Sequence, residues 1–250
     1  MNNLIQWPRA QYWDKPWNPW LGCRHISPAC DNCYARTSSE RWGVSFSPHK
    51  TGKLNPPKSG VVFCGNMTDL FGEFLSDNDI RDWYNLLIEA AMGAKTDARY
   101  LVLTKRARRM NELRKKFFME KDLESVINDV LWGITAENQD MFDERISSFA
   151  GAFNRSWLSC EPLLGPIDLH LDHYADHNWK PSWIAVGCES GAKRRPCKIE
   201  WIEDIVCQAK TYDIPVFVKQ LDIDGECVKE ISRFPKHLQI RQVPWEVCHG

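Results

Sequence analysis

A chain of 250 residues has room for one large domain or two small ones. Its content of 43% hydrophobic and 26% charged residues is typical of a globular protein with a full core. The net charge of −1 argues against a protein that holds nucleic acid by bulk charge alone. The sequence has no apolar run of about 18 residues, so we expect no membrane-spanning helix. Residues 1–17 lack the apolar stretch of a signal peptide, and we expect a cytoplasmic protein whose ten cysteines stay reduced.

Short apolar runs alternate with segments of helical periodicity along most of the chain, which predicts βαβ units and a parallel sheet. We expect strands at 17–21, 61–65, 100–104, 130–135, 155–160, 182–187 and 215–219, and helices at 31–42, 77–91, 107–118, 139–149 and 200–211. The predicted fold class is α/β, as a partial or complete parallel (β/α) barrel of six or seven strands. Residues 1–220 would form the barrel domain, and 221–250 a C-terminal extension.

Three cysteines lie close together in one turn-rich segment. Cys23, Cys30 and Cys33 have the spacing C-x6-C-x2-C. Thiols clustered this tightly in a chain without an export signal are typical of metal ligands. A structural zinc site needs a fourth ligand, such as His25 or a distant cysteine, whereas an iron–sulfur cluster on three cysteines keeps one iron open. The three could also be ordinary loop thiols, because free cysteine is often simply buried.

Polar or ionisable residues follow nearly every predicted strand. In parallel α/β folds the carboxyl ends of the strands carry the working loops. Charged side chains are costly to bury there unless they are paired or used, so these positions predict an active site. The candidates are Gly65, Asn66, Thr68, Asp69, Lys105, Thr135, Glu137, Ser159, Cys160, Glu161, Cys188 and Glu189.

The motifs along residues 16–220 resemble a known family. They are GCRHISPACDNCYA, GNMTDLF, LVLTKRARRM, WGITAENQDMFDERI, LSCEPLLGPIDL, WIAVGCESG and VFVKQ. In this order they are similar to the phage-encoded three-Cys-motif proteins, long labelled as of unknown function. Architecture and cysteine cluster resemble the radical S-adenosylmethionine (SAM) superfamily, with spore photoproduct lyase as the nearest likeness. The first cysteine gap here is longer than the usual C-x3-C-x2-C of that superfamily.

The resemblance implies a radical SAM-like, TIM-barrel-like fold and a [4Fe-4S] cluster held by Cys23, Cys30 and Cys33. It implies that the open iron binds the amino and carboxylate groups of SAM. An electron from a flavodoxin- or ferredoxin-like donor would then release a 5′-deoxyadenosyl radical. The protein would place the reactants and exclude water. A phage protein of this kind would act in the cytoplasm of the host cell.

The resemblance and the chemistry of the side chains together suggest roles for the candidates. Gly65, Asn66, Thr68 and Asp69 would meet the methionine amine. Lys105 would meet the SAM carboxylate, with a helix-flanking surface lysine as the alternative. Thr135 and Glu137 suit ribose hydroxyls, and Ser159, Glu161 and Glu189 are further candidates for cofactor or substrate. Tyr34 would pack over the cluster and shield it.

Other cysteines also follow predicted strands. We interpret Cys64, Cys160 and Cys188 as packing thiols, with a hydrogen-atom donor or ligands of a second cluster as the alternative. Under that alternative, the catalytic candidates that would act on the substrate are Cys160, Cys188 and Glu161. We interpret the remaining thiols as structural: Cys197, Cys207, Cys227 and Cys248.

Two basic clusters, at 105–116 and 193–198, stand out in a chain of near-zero net charge. Such runs are usually solvated faces, but they could grip phosphates while the site acts on a base. The favoured function is therefore a radical SAM enzyme that modifies a nucleotide or nucleic acid. The alternative is a zinc-stapled, non-catalytic binding or adaptor protein of phage origin.

Overall fold

The computed structural model describes residues 7–93, 97–117 and 130–245. These residues divide into two compact units. The first unit contains residues 13–93, 97–117, 130–134 and 145–155, and the second contains 7–12, 135–144 and 156–245. No helix within the described ranges is both long enough and apolar enough to cross a membrane.

The chain forms a mixed α/β fold with mostly parallel strands. The strands are β1 Lys15–Trp17, β2 Trp20–Leu21, β3 His49–Lys50, β4 Val61–Cys64, β5 Arg99–Thr104, β6 Val130–Thr135, β7 Ser156–Cys160, β8 Trp183–Gly187, β9 Val216–Ile223 and β10 Glu226–Val228. The α-helices are α1 Tyr34–Arg41, α2 Asp77–Met92, α3 Ala107–Phe117, α4 Gln139–Phe149, α5 Leu171–Asp176 and α6 Ile199–Thr211.

In the first unit, the main strands lie parallel in the order β1–β4–β5–β6. Every residue of β4 and β6 is buried, as in the interior of a parallel sheet. Helix α2 buries Ile80, Trp83 and Leu87, whose spacing gives one apolar face. Ser76 caps this helix by accepting a hydrogen bond from the Asp79 amide at 3.1 Å.

In the second unit, β7, β8 and β9 are parallel neighbours and β10 pairs with β9 antiparallel. All residues of β7 and β8 are buried. The Tyr12 ring contacts the rings of Trp157 and Trp183 edge to face, with centroids 5.9 and 5.0 Å away. These aromatic side chains bury a large apolar area and fill the core of the unit.

The α/β class and the parallel strands are confirmed. The predicted strand at 130–135 and the predicted helix at 139–149 have the bounds of β6 and α4. The strand expected at 17–21 is divided into β1 and β2, because Pro19 lacks an amide donor for a continuous ladder. The helix expected at 31–42 begins only at Tyr34, after a 3₁₀ turn over Pro28–Cys30. Residue 118, in the predicted helix 107–118, lies outside the described residues.

The expected barrel differs from the strands that the structure describes. Apart from the short pair β2 and β3, eight strands occur in place of six or seven, four in each unit, and neither unit closes its described strands into a barrel. The sequence pattern missed α5 and β10, since both are short and carry little periodicity. Strand β9 continues to Ile223, so the predicted boundary between residues 220 and 221 falls inside a strand.

Candidate functional site

The cysteine loop connects β2 to α1 in the first unit and is fixed to the segment that follows β4. The Gly22 amide donates to the Met67 carbonyl at 3.2 Å, and the Thr68 hydroxyl donates to the Gly22 carbonyl at 2.6 Å. Gly22 has a φ of +90°, and a Cβ there would lie 2.4 Å from the Phe46 carbonyl oxygen. Only glycine fits this close approach, so the residue before Cys23 sets the entry to the loop.

The three thiols of the loop are half-buried. Cys23 Sγ lies 3.9 Å from Arg106 Nη1, and Cys30 Sγ lies 3.8 Å from Ser27 Oγ. Cys33 directly precedes the first turn of α1. Burial and the nearby Asp69 carboxylate raise the pKa of Cys23 to about 11, against the lowering effect of Arg106. The charge of Cys30 also raises this pKa, so the two thiols are near neighbours.

A buried ion pair between Asp69 and Arg106 lies against the cysteine loop. Asp69 accepts hydrogen bonds from the Thr104 hydroxyl at 2.7 Å and from Arg106 Nη1 at 3.0 Å. Arg106 is 6% exposed and also reaches Glu73 at 2.7 Å and the Arg24 carbonyl at 3.3 Å. The same guanidinium therefore contacts both the loop after β4 and the cysteine loop. Arg106 is a positioning residue that sequence reasoning placed only in a basic cluster.

The candidates predicted to meet the methionine amine adjoin this network. The Asp69 carboxylate also accepts from the Phe71 and Lys105 amides at 3.0 Å each, so an added ligand would share its oxygens with four internal donors. Asn66 Oδ1 accepts a hydrogen bond from the Asn18 side chain at 2.7 Å. Gly65 makes the turn after β4 with a φ of +76°. The structure thus brings the β4 loop and the cysteine loop into contact.

Lys105 and Tyr34 lie close to the same loop. The Lys105 ammonium is near enough to Cys23 to lower the pKa of that thiol. Tyr34 is 52% exposed, and its hydroxyl donates to the Asn66 carbonyl. Tyr34, predicted to shield a cluster, is thus about half exposed, and its hydroxyl joins the two loops.

The donor set fits a cluster in kind. Three half-exposed thiols in one loop are the ligands that iron–sulfur clusters use. Within the described residues, however, no three or more His, Cys, Asp or Glu side chains are grouped so that they could hold a metal ion. Cluster binding would require the three thiols to turn toward one point. His25 lies 2.7 Å from Asp31, so a zinc site that used this imidazole would compete with that contact.

In the second unit, Glu161 lies directly after β7 and forms an ion pair. Glu161 Oε2 accepts from Lys219 Nζ at 2.9 Å and from the Tyr12 hydroxyl at 3.3 Å. Its other oxygen, Oε1, is buried and has no hydrogen-bond partner among the described residues. A buried carboxylate oxygen without a donor is costly, so this atom marks a place where a ligand donor would be favourable.

The buried Cys160 thiol adjoins the same carboxylate. Burial, followed by the charges of Glu161 and Glu137, raises the pKa of Cys160 to about 12. Cys160 and Glu137 are fully buried, and Ser159 is 1% exposed. The structure therefore brings Ser159, Cys160, Glu161 and Glu137 to one end of the sheet in this unit, with Cys160 as a neutral thiol at physiological pH.

The remaining candidates of the second unit make internal contacts. Thr135 is 2% exposed. Both oxygens of Glu189 accept hydrogen bonds from Arg195, including one from the Arg195 amide at 2.8 Å. The Gln220 side chain donates to the Cys188 carbonyl at 2.6 Å. Glu189 therefore shapes the 189–195 loop, since a bidentate arginine pair fixes both groups.

Most cations of the first basic cluster have acidic partners on the same unit. Arg106 pairs with Asp69, Arg108 with Glu112, and both Arg109 and Lys116 with Asp77. Hydrogen bonds from Lys116 and Arg109 keep the pKa of Asp77 below its usual value, against the small raising effect of burial. The helix that looks strongly basic in sequence therefore presents less free positive charge than its composition indicates.

Sequence reasoning missed Tyr12 and Lys219 as partners of Glu161, and Arg106 as the support of Cys23. Lys219 ends a predicted strand, which was a signal that could have paired it with an acid at the same edge. Tyr12 carried no such signal, because only the fold brings it beside a residue 149 positions away.

Fold and site define an α/β protein with mostly parallel strands and a three-thiol loop after β2. A family model described as "Protein of unknown function (DUF5131)" matches residues 8–242. The chain belongs to this family. No curated protein and no solved structure matches it. The family description names no activity, so the resemblance to phage three-Cys-motif and radical SAM proteins stays a prediction.

Proposed function

We propose that the chain is a radical SAM enzyme that acts on a nucleotide or nucleic acid and has a radical SAM-like form of the α/β fold. The observation that carries the proposal is the loop with Cys23, Cys30 and Cys33. It places three half-exposed thiols beside strand ends of a parallel sheet and contains no fourth cysteine. Three thiolates suit a cluster with one open iron better than a closed zinc site, which needs four ligands.

Cys23, Cys30 and Cys33 would hold a [4Fe-4S] cluster. When bound, such a cluster passes one electron from a flavodoxin- or ferredoxin-like donor to SAM and so supplies the radical chemistry. The thiols must lose their protons to bind iron. Arg106 and Lys105 favour the thiolate of Cys23, because both lower the pKa of this residue.

The buried network around Arg106 orients the loop. Its guanidinium holds the Arg24 carbonyl while its own position is fixed by Asp69 and Glu73. The Thr68 hydroxyl fixes the loop entry through the Gly22 carbonyl. These contacts reduce the conformational freedom that cluster binding would otherwise have to remove.

The second unit contains groups suited to hydrogen-atom donation and ligand binding. Because the pKa of Cys160 is raised to about 12, its sulfur keeps the S–H bond that a hydrogen-atom donor needs. Cys188, 2% exposed, is the second candidate donor. The buried oxygen Glu161 Oε1 would accept a hydrogen bond from a hydroxyl or amine of a ligand. Ribose and bases both offer such donors.

A nucleotide or nucleic-acid substrate is supported by the exposed cations of the 193–198 segment. Lys193 and Lys198 are exposed. Phosphates bind where such cations are accessible. Arg195, however, is engaged by Glu189 and is a structural member of this segment.

Metal analysis of anaerobically purified and reconstituted protein tests the proposal. The expected result is about four irons and four sulfides per chain, with a brown colour. One zinc per chain in a colourless protein would overturn it and support the alternative, a zinc-stapled adaptor. A chain that bound neither metal would overturn both.

A further inference from the structure

Two thiols that are 39 positions apart in sequence are in contact in the second unit. Cys188 follows β8, and Cys227 lies in β10. Their sulfur atoms are 3.8 Å apart, and the Cys188 thiol donates toward Cys227 Sγ. Strand β9 positions both, because the Cys188 amide donates to the Gln220 carbonyl and Cys227 pairs with Asp222.

The two thiols differ in access to solvent. Cys227 is half-exposed, and its strand is a three-residue edge strand. Cys188 is 2% exposed behind it. An accessible thiol backed by a buried one is the arrangement of cysteine pairs in which one sulfur meets an oxidant and the other resolves the product.

The charges around the pair favour the thiolate on the accessible sulfur. The Cys188 hydrogen bond, together with Lys229 and Arg194, lowers the pKa of Cys227 to about 6, against the effects of burial and Asp222. The same hydrogen bond, burial, and the charges of Cys227, Cys197 and Asp222 raise the pKa of Cys188. The proton therefore stays on the buried sulfur.

We propose that Cys227 and Cys188 form a peroxide-reactive thiol pair, with Cys227 as the attacking residue and Cys188 as the resolving residue. This inference rests on the contact between the two sulfurs and on the exposure of Cys227 in front of the buried Cys188. It does not depend on the radical SAM proposal. The oxidant is hydrogen peroxide or a small organic hydroperoxide.

The chemistry of the pair balances in two steps. The Cys227 thiolate attacks one peroxide oxygen and breaks the O–O bond, giving a sulfenic acid and, with one proton, water. The Cys188 sulfur then attacks the Cys227 sulfur, and its thiol proton leaves with the sulfenic hydroxyl as a second water. Two thiols are oxidised to one disulfide while one peroxide is reduced. A disulfide of about 2.05 Å requires the sulfurs to approach by a little under 2 Å, which the short edge strand β10 can supply.

Peptide mapping of the full chain after one equivalent of hydrogen peroxide tests the pair. The expected product is a Cys188–Cys227 cross-linked peptide, two hydrogens lighter than the two free peptides and released by a reductant. Cys207 serves as a control, since this thiol is exposed and lies on α6. If exposure alone governed oxidation, Cys207 would be modified first, and that result would overturn the proposal.

Two variants separate the roles. Cys188→Ser keeps a hydroxyl donor but cannot form the cross-link, so Cys227 should accumulate as a sulfenic acid that dimedone traps. Cys227→Ser should leave Cys188 unmodified. Wild-type chain that shows neither a cross-link nor a Cys227 adduct under these conditions contradicts the proposal without any variant. Prior reconstitution of iron is not needed, so a failed radical SAM assay would leave this result unaffected.

Discussion

Cys23 in the first unit and Cys227 in the second lie in opposite electrostatic settings. In the first unit, burial and Asp69 raise the pKa of Cys23. In the second, a thiol donor with Lys229 and Arg194 lowers the pKa of Cys227. The same side chain is therefore kept as a thiol in one place and as a thiolate in the other. Burial and neighbouring charges together decide which form a cysteine takes.

The comparison also separates two kinds of task. A thiol that keeps its proton until a metal replaces it is protected from oxidants in the meantime. A thiol that is ionised near neutral pH reacts with them. We propose that Cys23 serves a cofactor and that Cys227 senses or consumes an oxidant.

Removal of one loop thiol gives the largest expected effect. Cys30→Ala should lose nearly all cluster iron after anaerobic reconstitution, because two remaining thiolates cannot hold a cubane cluster. Cys207→Ala, which removes an exposed thiol outside the loop, should keep the wild-type iron content. Iron and sulfide determinations on both variants check this. Equal iron content in Cys30→Ala and wild type would contradict the proposal that the loop thiols, unlike the Cys188–Cys227 pair, hold a cofactor.

The buried pair beneath the loop gives the next largest effect. Asp69→Ala removes the buried partner of Arg106 and leaves it only the exposed Glu73 carboxylate, which should lower the free energy of unfolding by about 3 kcal/mol. Glu112→Ala breaks an exposed pair with Arg108 and should cost no more than about 0.5 kcal/mol. Urea unfolding of the two variants makes the comparison. A similar loss in both would mean that the Asp69–Arg106 pair does not support the first unit.

The pH dependence of alkylation tests the difference between Cys227 and Cys160 in the second unit. The thiolate fraction of Cys227 rises through pH 6 and levels off above it, since its pKa is about 6. At pH 6 an ordinary cysteine is well under about 1% ionised, so Cys227 should react at least about tenfold faster even after its lower nucleophilicity is allowed for. Cys160, with a pKa of about 12, should stay unmodified. Iodoacetamide labelling with peptide mapping measures both.

The Cys188→Ala variant tests the cause of that behaviour. Without the thiol donor, the pKa of Cys227 should move upward, and the labelling curve should shift to higher pH. Lys229, Arg194 and Asp222 remain in place and set the residual shift. An unchanged curve would show that the hydrogen bond between the sulfurs does not govern the titration.

A helix cap that belongs to neither thiol group gives the smallest expected effect. Ser76→Ala removes the acceptor for the Asp79 amide and should cost about 1 kcal/mol of unfolding free energy. Ser76→Asp restores an acceptor near the helix N-terminus and should recover most of that loss. Iron content and Cys227 labelling should not change in either variant. A changed iron content would mean that the loop depends on general stability.

Much of the parallel fold could be predicted, because the strands β4 to β8 are short apolar runs and α2 has clear helical spacing. The three loop cysteines could also be predicted, because they lie close together along the sequence. The Cys188–Cys227 contact could not, because it depends on how β8, β9 and β10 pair.

Contacts between distant residues account for the other differences. The 105–116 segment looked like a phosphate-binding face, yet its cations pair with acids as far as 39 positions away. Tyr12 precedes the first strand, yet its hydroxyl reaches Glu161. Such pairs follow from tertiary packing, which local pattern does not encode.

The most direct test of the central claim is the fate of SAM on the reconstituted chain. The protein is reduced with dithionite under anaerobic conditions in the presence of SAM, and 5′-deoxyadenosine is quantified by chromatography. The proposal predicts that wild type forms 5′-deoxyadenosine and that Cys30→Ala forms none. Intact SAM in the presence of a fully loaded and reduced cluster would contradict it.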